Sequence, residues 1–279
     1  VEGDSHGITD ITHQMLLCDR NGLQAIFVVD PLNGLNRRES PNLPWGWEAN
    51  FANPNVRTAF KNFTLRIVRE YHPRYLGLAS EINTYADAFP EDYPNYVSLY
   101  KEVYAAVKAE APETQIFATF QWEDLNNLYE GANEGRSPYD TNWVIVDALE
   151  PNLDLWVIST YPFGAFHSAA DIPDDYYTPL LTRTSKPLAV AEGGFSSVPM
   201  EPFGGSDADQ IAYINRIHDQ LGPRLAFWIY IIINDLDMDS YTPNMKKDQD
   251  TLAWFTRMGF FDVDGNPKPA LEVWDSFRK

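Results

Sequence analysis

Two apolar runs in this chain end abruptly on a glutamate: Tyr75-Leu-Gly-Leu-Ala-Ser80-Glu81-Ile-Asn83 and Pro187-Leu-Ala-Val-Ala-Glu192-Gly-Gly194. Each reads as a buried strand. A carboxylate at the tip of such a strand is costly, because loss of water disfavours its charge. In barrels of alternating strands and helices, the C-terminal strand ends are where active sites sit. Two carboxylates delivered to one substrate from two such ends are the equipment for cleaving a glycosidic bond. A single glutamate in this position more often pairs with an arginine or caps the next helix. It is the pair that points to catalysis.

The elements that must position these groups alternate along the chain. Ile8–Asn21 reads as a helix with Gly22 as its stop. Helices are also expected near Asn55–Glu70, Tyr93–Ala111, Asn142–Leu149, Asp174–Thr182, Asp207–Leu221, Thr251–Met258 and Pro269–Phe277. Apolar runs too short for helices are read as strands at Gln24–Asp30, Tyr75–Ser80, Gln115–Phe120, Leu153–Ser159, Pro187–Ala191 and Arg224–Ile233. Strand–helix repeats with near-continuous apolar strands imply a parallel sheet covered on both faces. The expected fold is therefore α/β, a (β/α)8 TIM barrel forming a single domain over residues 1–279. A closed barrel needs eight strands. The chain opens straight into a helix, so the first one or two are expected to lie outside this sequence or unrecognised in Val1–Gly7; an open parallel sheet is the alternative.

Polar and aromatic residues collect on the C-terminal side of these strands. They are Asp30 and Asn33, Glu81 and Asn83, Gln121, Trp122 and Glu123, Tyr161, Glu192, Trp228, Tyr230, Asn234 and Asp235. Trp45 and Trp47 flank Gly46 in a Pro-rich loop, where indoles either bind something or cap the barrel. Trp228 lies in so apolar a run that core packing competes with a ligand contact. Glu123 and Asp124 begin a helix as readily as they bind substrate. Asp235, Asp237 and Asp239 alternate but lack the glycine and closing glutamate of a calcium loop, so a solvated acidic loop is expected.

Composition narrows the function. The net charge of −19 disfavours nucleic acid and anionic membrane surfaces as partners, and it suits a neutral ligand such as a sugar. The one cysteine, Cys18, permits no intrachain disulfide, and the five histidines form no metal-binding pattern, so neither metal nor cofactor is expected. There is no P-loop, GxGxxG or GxSxG motif, and no apolar run long enough to span a bilayer. No signal peptide starts at Val1, although a secreted mature chain would have lost one. Asn62-Phe-Thr64 fits the glycosylation sequon but falls in an expected helix.

Taken in order, these motifs resemble retaining glycoside hydrolases of the (β/α)8 superfamily, nearest to endo-β-1,4-galactanases. Glu81-Ile-Asn83 is similar to the acid/base motif that ends their fourth strand, and Ala191-Glu192-Gly-Gly to the nucleophile motif that ends their seventh. Ile158-Ser-Thr-Tyr161-Pro162 resembles the sixth strand, Phe227-Trp228-Ile-Tyr230 the eighth, and Asp264-Gly-Asn-Pro-Lys-Pro-Ala270 the closing segment. The resemblance implies a carbohydrate substrate, Glu81 as acid/base and Glu192 as nucleophile. It further implies that Tyr161 orients Glu192, that Trp228, Trp122 and Tyr230 line sugar subsites, and that Trp45 and Trp47 form outer platforms. Asp30, Asn83 and Gln121 would complete the substrate contacts. One position departs. The family's asparagine before the acid/base glutamate, which binds the sugar 2-hydroxyl, is Ser80 here, shorter and without amide donors. The rival expectations are a non-catalytic carbohydrate-binding barrel and a barrel enzyme using one glutamate as a proton-transfer base.

Overall fold

The structure is a computed structural model that describes residues 5–34, 36–38, 43–129, 135–200, 202–240 and 251–277. Its chain divides into two compact units, one of Val1–Ala118 with Val144–Asp154, the other of Thr119–Trp143 with Leu155–Lys279.

The first unit holds a parallel three-stranded sheet in the order β1 (Ile26–Val28), β2 (Tyr75–Gly77), β3 (Gln115–Phe117). Parallel neighbours require long crossovers, and helices supply them. The chain enters through α1 (Ser5–Asn21), which Gly22 ends at φ +64°. Between β1 and β2 runs α2 (Pro54–Tyr71), started by the Asn53 cap and Pro54 and stopped at His72 in a left-handed turn. Between β2 and β3 run α3 (Ile82–Ala88) and α4 (Tyr93–Glu110). Gly77 lets the sheet close: a Cβ there would meet Phe117 Cε2 at 2.9 Å and Val28 Cγ2 at 3.0 Å. One face of α4 carries Tyr93, Tyr96, Tyr100 and Tyr104. The first three rings are buried and Tyr104 partly so, while their hydroxyls donate to Ile145 O, Leu78 O, Asn152 O and Asp154 Oδ1, so the buried rings leave no orphaned hydroxyl.

The second unit holds a parallel four-stranded sheet in the order β4 (Thr119–Gln121), β5 (Trp156–Thr160), β6 (Leu188–Gly193), β7 (Leu225–Trp228). Its helices are α5 (Trp122–Leu125), α7 (Thr178–Arg183), α8 (Asp207–Leu221) and α9 (Pro269–Ser276); α6 (Trp143–Leu149) belongs to the first unit from Val144 onward. The Ser206 side chain caps α8 through Asp209 N. The register between β5 and β6 slips after Ile158, so that Ser159 faces Glu192 and Thr160 faces Gly193.

Most expected elements are present, with four corrections. The run Gln115–Phe120 is two strands broken at Ala118, the first paired with β2 and the second with β5. The last strand stops at Trp228 although the run stays largely apolar to Ile233; past it single backbone bonds continue, Ile229 N donating to Val190 O and Ile231 N to Gly193 O. Ser5–Gly7 begins α1 and is no strand; Val1–Asp4 lie outside the described residues. Asp235 is not solvated. It is buried, with Lys268 Nζ at 2.5 Å, Gly259 N donating at 2.9 Å and Arg257 Nη1 at 3.7 Å. This ion pair ties the segment leading into α9 to the residues after β7. Lys268→Ala would leave a buried carboxylate short of its main counter-charge. It is expected to lower unfolding stability by about 3 kcal/mol, read as a lower urea midpoint at constant slope.

Candidate active site

In the first unit, Glu81 stands just past the C-terminal end of β2, and its backbone adopts the left-handed region at φ 50°, ψ 45°. A glutamate has no local reason to be there. Left-handed backbone costs roughly 1–2 kcal/mol for a residue with a Cβ, and such strain persists where surrounding structure imposes it. Glu81 occupies the cap position of α3 without making a side-chain capping bond, so helix capping does not explain it. Its carboxylate meets Arg37 instead, with Nε 3.6 Å from Oε2. The same guanidinium donates to Ser80 O at 3.1 Å and Gly34 O at 2.7 Å, and lies 3.5 Å from Asp30 Oδ2. Arg37 thus gathers the ends of β1 and β2 and brings Asp30 and Glu81 into one charged cluster. Asn83, in the first turn of α3, is fully buried and faces the interior. Trp45 is 100 % exposed and Trp47 partly so. Their loop borders an open cleft of about 630 Å³ lined by Glu48, Asn50, Asn53, Glu91, Asp92 and Asn95 among others; Glu81 is not part of that lining.

In the second unit, Glu192 lies near the C-terminal end of β6, half-buried, and accepts a hydrogen bond from the Tyr161 hydroxyl at 3.2 Å. Tyr161 follows β5 and packs edge-on against Phe255. Gly193 is required beside it, because a Cβ would collide with Tyr213 Oη and approach Thr160 O to 2.8 Å. Behind Tyr161 sits a second, wholly buried carboxylate, Glu123. Its Oε1 accepts from Thr160 Oγ1 at 2.6 Å and Tyr176 Oη at 3.0 Å; its Oε2 accepts from Gln121 Nε2 at 2.6 Å and Tyr161 N at 2.9 Å. Burial pushes the Glu123 carboxyl above the usual glutamate range, and the bonds from Thr160, Tyr161 and Tyr176 only partly offset this.

Two expected sugar contacts are corrected here. Trp122 is fully buried against Trp143, Tyr176 and Tyr177, so its faces are closed to ligand. Trp228 is half-buried and lies against Trp274 and Phe277 at the C-terminal end of the chain. Tyr230 is buried on Phe260, its hydroxyl bonded to Gln210. Gln121 is also spent internally: Oε1 accepts Asp124 N, and Nε2 donates to Glu123 and Tyr129. Arg37, Thr160 and Tyr176 were not among the expected site residues. An arginine a few residues beyond a strand tip that also carries Asp30 was the available signal for the first. The other two are joined to Glu123 only by tertiary folding. Among the described residues, no group of histidine, cysteine, aspartate and glutamate could hold a metal ion, and no helix is long and apolar enough to cross a membrane.

No protein-family model matches the chain, and no curated protein matches it by sequence. Its fold does match solved structures. An exo-β-1,4-mannosidase, Op5Man5 from Opitutaceae bacterium strain TAV5, superposes with a TM-score of 0.65 at 16% identity, covering 98% of this chain and 49% of that one. The chain therefore spans about half the length of that mannosidase. Fungal β-1,4-galactanase gives 0.63 at 14% identity over 95% of this chain and 82% of that one. The GH53 catalytic domain of Ignisphaera aggregans gives 0.57 at 17% identity over 92% and 86%. The fold is of the (β/α)8 class that carries these glycoside hydrolases, as the strand–helix order predicts.

The buried Glu123 makes one expectation for solution behaviour. With its folded pKa above the ordinary 4.5, the native state binds the proton more tightly than the unfolded chain. Its contribution to stability is thus greatest at low pH and falls as pH rises from about 4.5 through the raised value. Glu123→Gln is expected to flatten that fall in urea unfolding measured from pH 4 to 8. An unchanged slope would contradict the assignment.

Proposed function

We propose that this chain is a glycoside hydrolase that cleaves a β-linked poly- or oligosaccharide by retaining double displacement, with Glu192 as nucleophile and Glu81 as acid/base. The observation that carries the reading is that each glutamate stands at the C-terminal end of a parallel strand, in a chain with the fold of β-glycosidases. In the first step, Glu192 attacks the anomeric carbon while Glu81 delivers a proton to the leaving oxygen. In the second, Glu81 takes a proton from water, which attacks the glycosyl–enzyme ester and regenerates Glu192. Retention asks for carboxyl groups about 5–5.5 Å apart. The Tyr161 hydroxyl donates to Glu192 Oε2 at 3.2 Å and so orients the attacking carboxylate. Arg37 Nε lies 3.6 Å from Glu81 Oε2 and so holds the acid/base carboxyl in place at the strand end.

The substrate is read as a neutral plant-type glycan, in keeping with the net charge of −19 and with the exposed Trp45 as a platform at the periphery. Ser80 is buried and shorter than the asparagine that would meet a 2-hydroxyl. A non-catalytic carbohydrate-binding role is favoured by that same substitution and by the ion pair on Glu81.

Hydrolysis of a panel of aryl β-glycosides separates the two readings. The parent chain is expected to cleave at least one member with the β-anomer as first product by NMR. Glu192→Ala should lose activity by at least about a thousandfold. Azide should restore turnover in that variant and yield the α-glycosyl azide. A parent that binds oligosaccharide but cleaves nothing would establish the binding role instead.

A further inference from the structure

We propose that Glu123 is a positioning residue that fixes the exit of β5 so that the Tyr161 hydroxyl is held on Glu192; the proposal rests on the reading of Glu192 as nucleophile. Glu123 has no exposed surface. Two of its four contacts fall on adjacent residues, Thr160 through the hydroxyl and Tyr161 through the backbone N–H. Those are the residues at which β5 ends, since Tyr161 leaves the strand at φ −133°, ψ 66° and Pro162 follows. The rest of Thr160 is fixed as well. Its hydroxyl lies 2.8 Å from Tyr177 Oη, and its carbonyl accepts from Tyr213 Oη at 3.3 Å. The slip in register that pairs Ser159 with Glu192 falls in this same stretch, and a local shift of this kind re-aims the side chains beyond it.

The chemistry explains why an acid is used. Four donors reach one side chain, and a carboxyl group offers two oxygens with enough lone pairs to accept them all. An apolar side chain of the same size would strand the Tyr161 N–H, which has no freedom to turn elsewhere. Glutamine would serve nearly as well for the part that matters. Its carbonyl can face Tyr161 N and Gln121, while its amide faces Thr160 and Tyr176, whose hydroxyls can rotate to accept. The backbone N–H cannot invert its role, so the rescue is specific to the clamp on Tyr161.

The test uses the full chain with ¹³C-labelled tyrosine. The Tyr161 Cζ resonance is assigned by its loss in Tyr161→Phe, and it is followed in Glu123→Ala, Glu123→Gln and Glu192→Gln. Glu123→Ala is expected to move it in the same direction as Glu192→Gln, which removes the acceptor, and Glu123→Gln to leave it in place. In catalysis, Glu123→Ala should lower kcat about tenfold or more while KM changes less than about threefold. Glu123→Gln should recover most of the loss, and Tyr161→Phe combined with Glu123→Ala should add little to either alone. Should Glu123→Ala fail to fold, Glu123→Asp, one methylene too short to hold Thr160 and Tyr161 together, gives the same reading. A Tyr161 resonance unmoved in the folded alanine or aspartate variant overturns the proposal, as does an additive double variant. A parent that hydrolyses no glycoside overturns the reading of Glu192 as nucleophile, and the resonances then decide the positioning by themselves.

Discussion

A carboxylate withdrawn completely from water must find donors for its oxygens inside the protein, and Glu123 finds four. They arrive from β4, from the end of β5 and from the segment before α7, so the interaction can form only when these parts are already in register. Glu123 therefore reports on, and enforces, the arrangement at the C-terminal end of the four-stranded sheet. The local consequence is directional. Tyr161 N is pulled inward onto Glu123 while its hydroxyl reaches outward to Glu192. One tyrosine connects a buried acid to a half-buried one, and the ring between them is braced by Phe255. Polar networks in low-dielectric surroundings are rigid when every member is satisfied, and this one lies behind the tyrosine that bonds Glu192.

The three-stranded unit treats its carboxylate differently. Glu81 sits on a left-handed backbone turn and faces Arg37, which also approaches Asp30 and donates to the Ser80 carbonyl.

Much of this was legible from residue order. β-branched and aromatic runs too short for helices located every strand position, and the tips of the runs at Tyr75 and Pro187 located Glu81 and Glu192. The short helix α3 was not foreseen, and α5 only as one of two readings of Glu123 and Asp124, because polar residues at or just past strand tips look like site residues. Trp122 and Tyr230 show the limit of such reading. An aromatic at a strand end is equally suited to stack on a sugar or to fill the interior, and the rings that decide, Trp143, Tyr176 and Tyr177 for one, Phe260 for the other, lie far along the chain. Asp235 was hidden for the same reason, its lysine standing at Lys268 beyond a turn. Local pattern reveals periodicity; it does not reveal which distant group satisfies a buried charge.

The most direct measurement is covalent capture of the intermediate. Incubating the chain with activated 2-deoxy-2-fluoro β-glycosides of the sugars it cleaves, followed by peptide mapping, is expected to find one sugar ester per chain on the peptide containing Glu192 and none in Glu192→Gln. An ester on another carboxylate, or turnover of the parent substrate with no ester trapped and the product released with inverted configuration, would contradict the account.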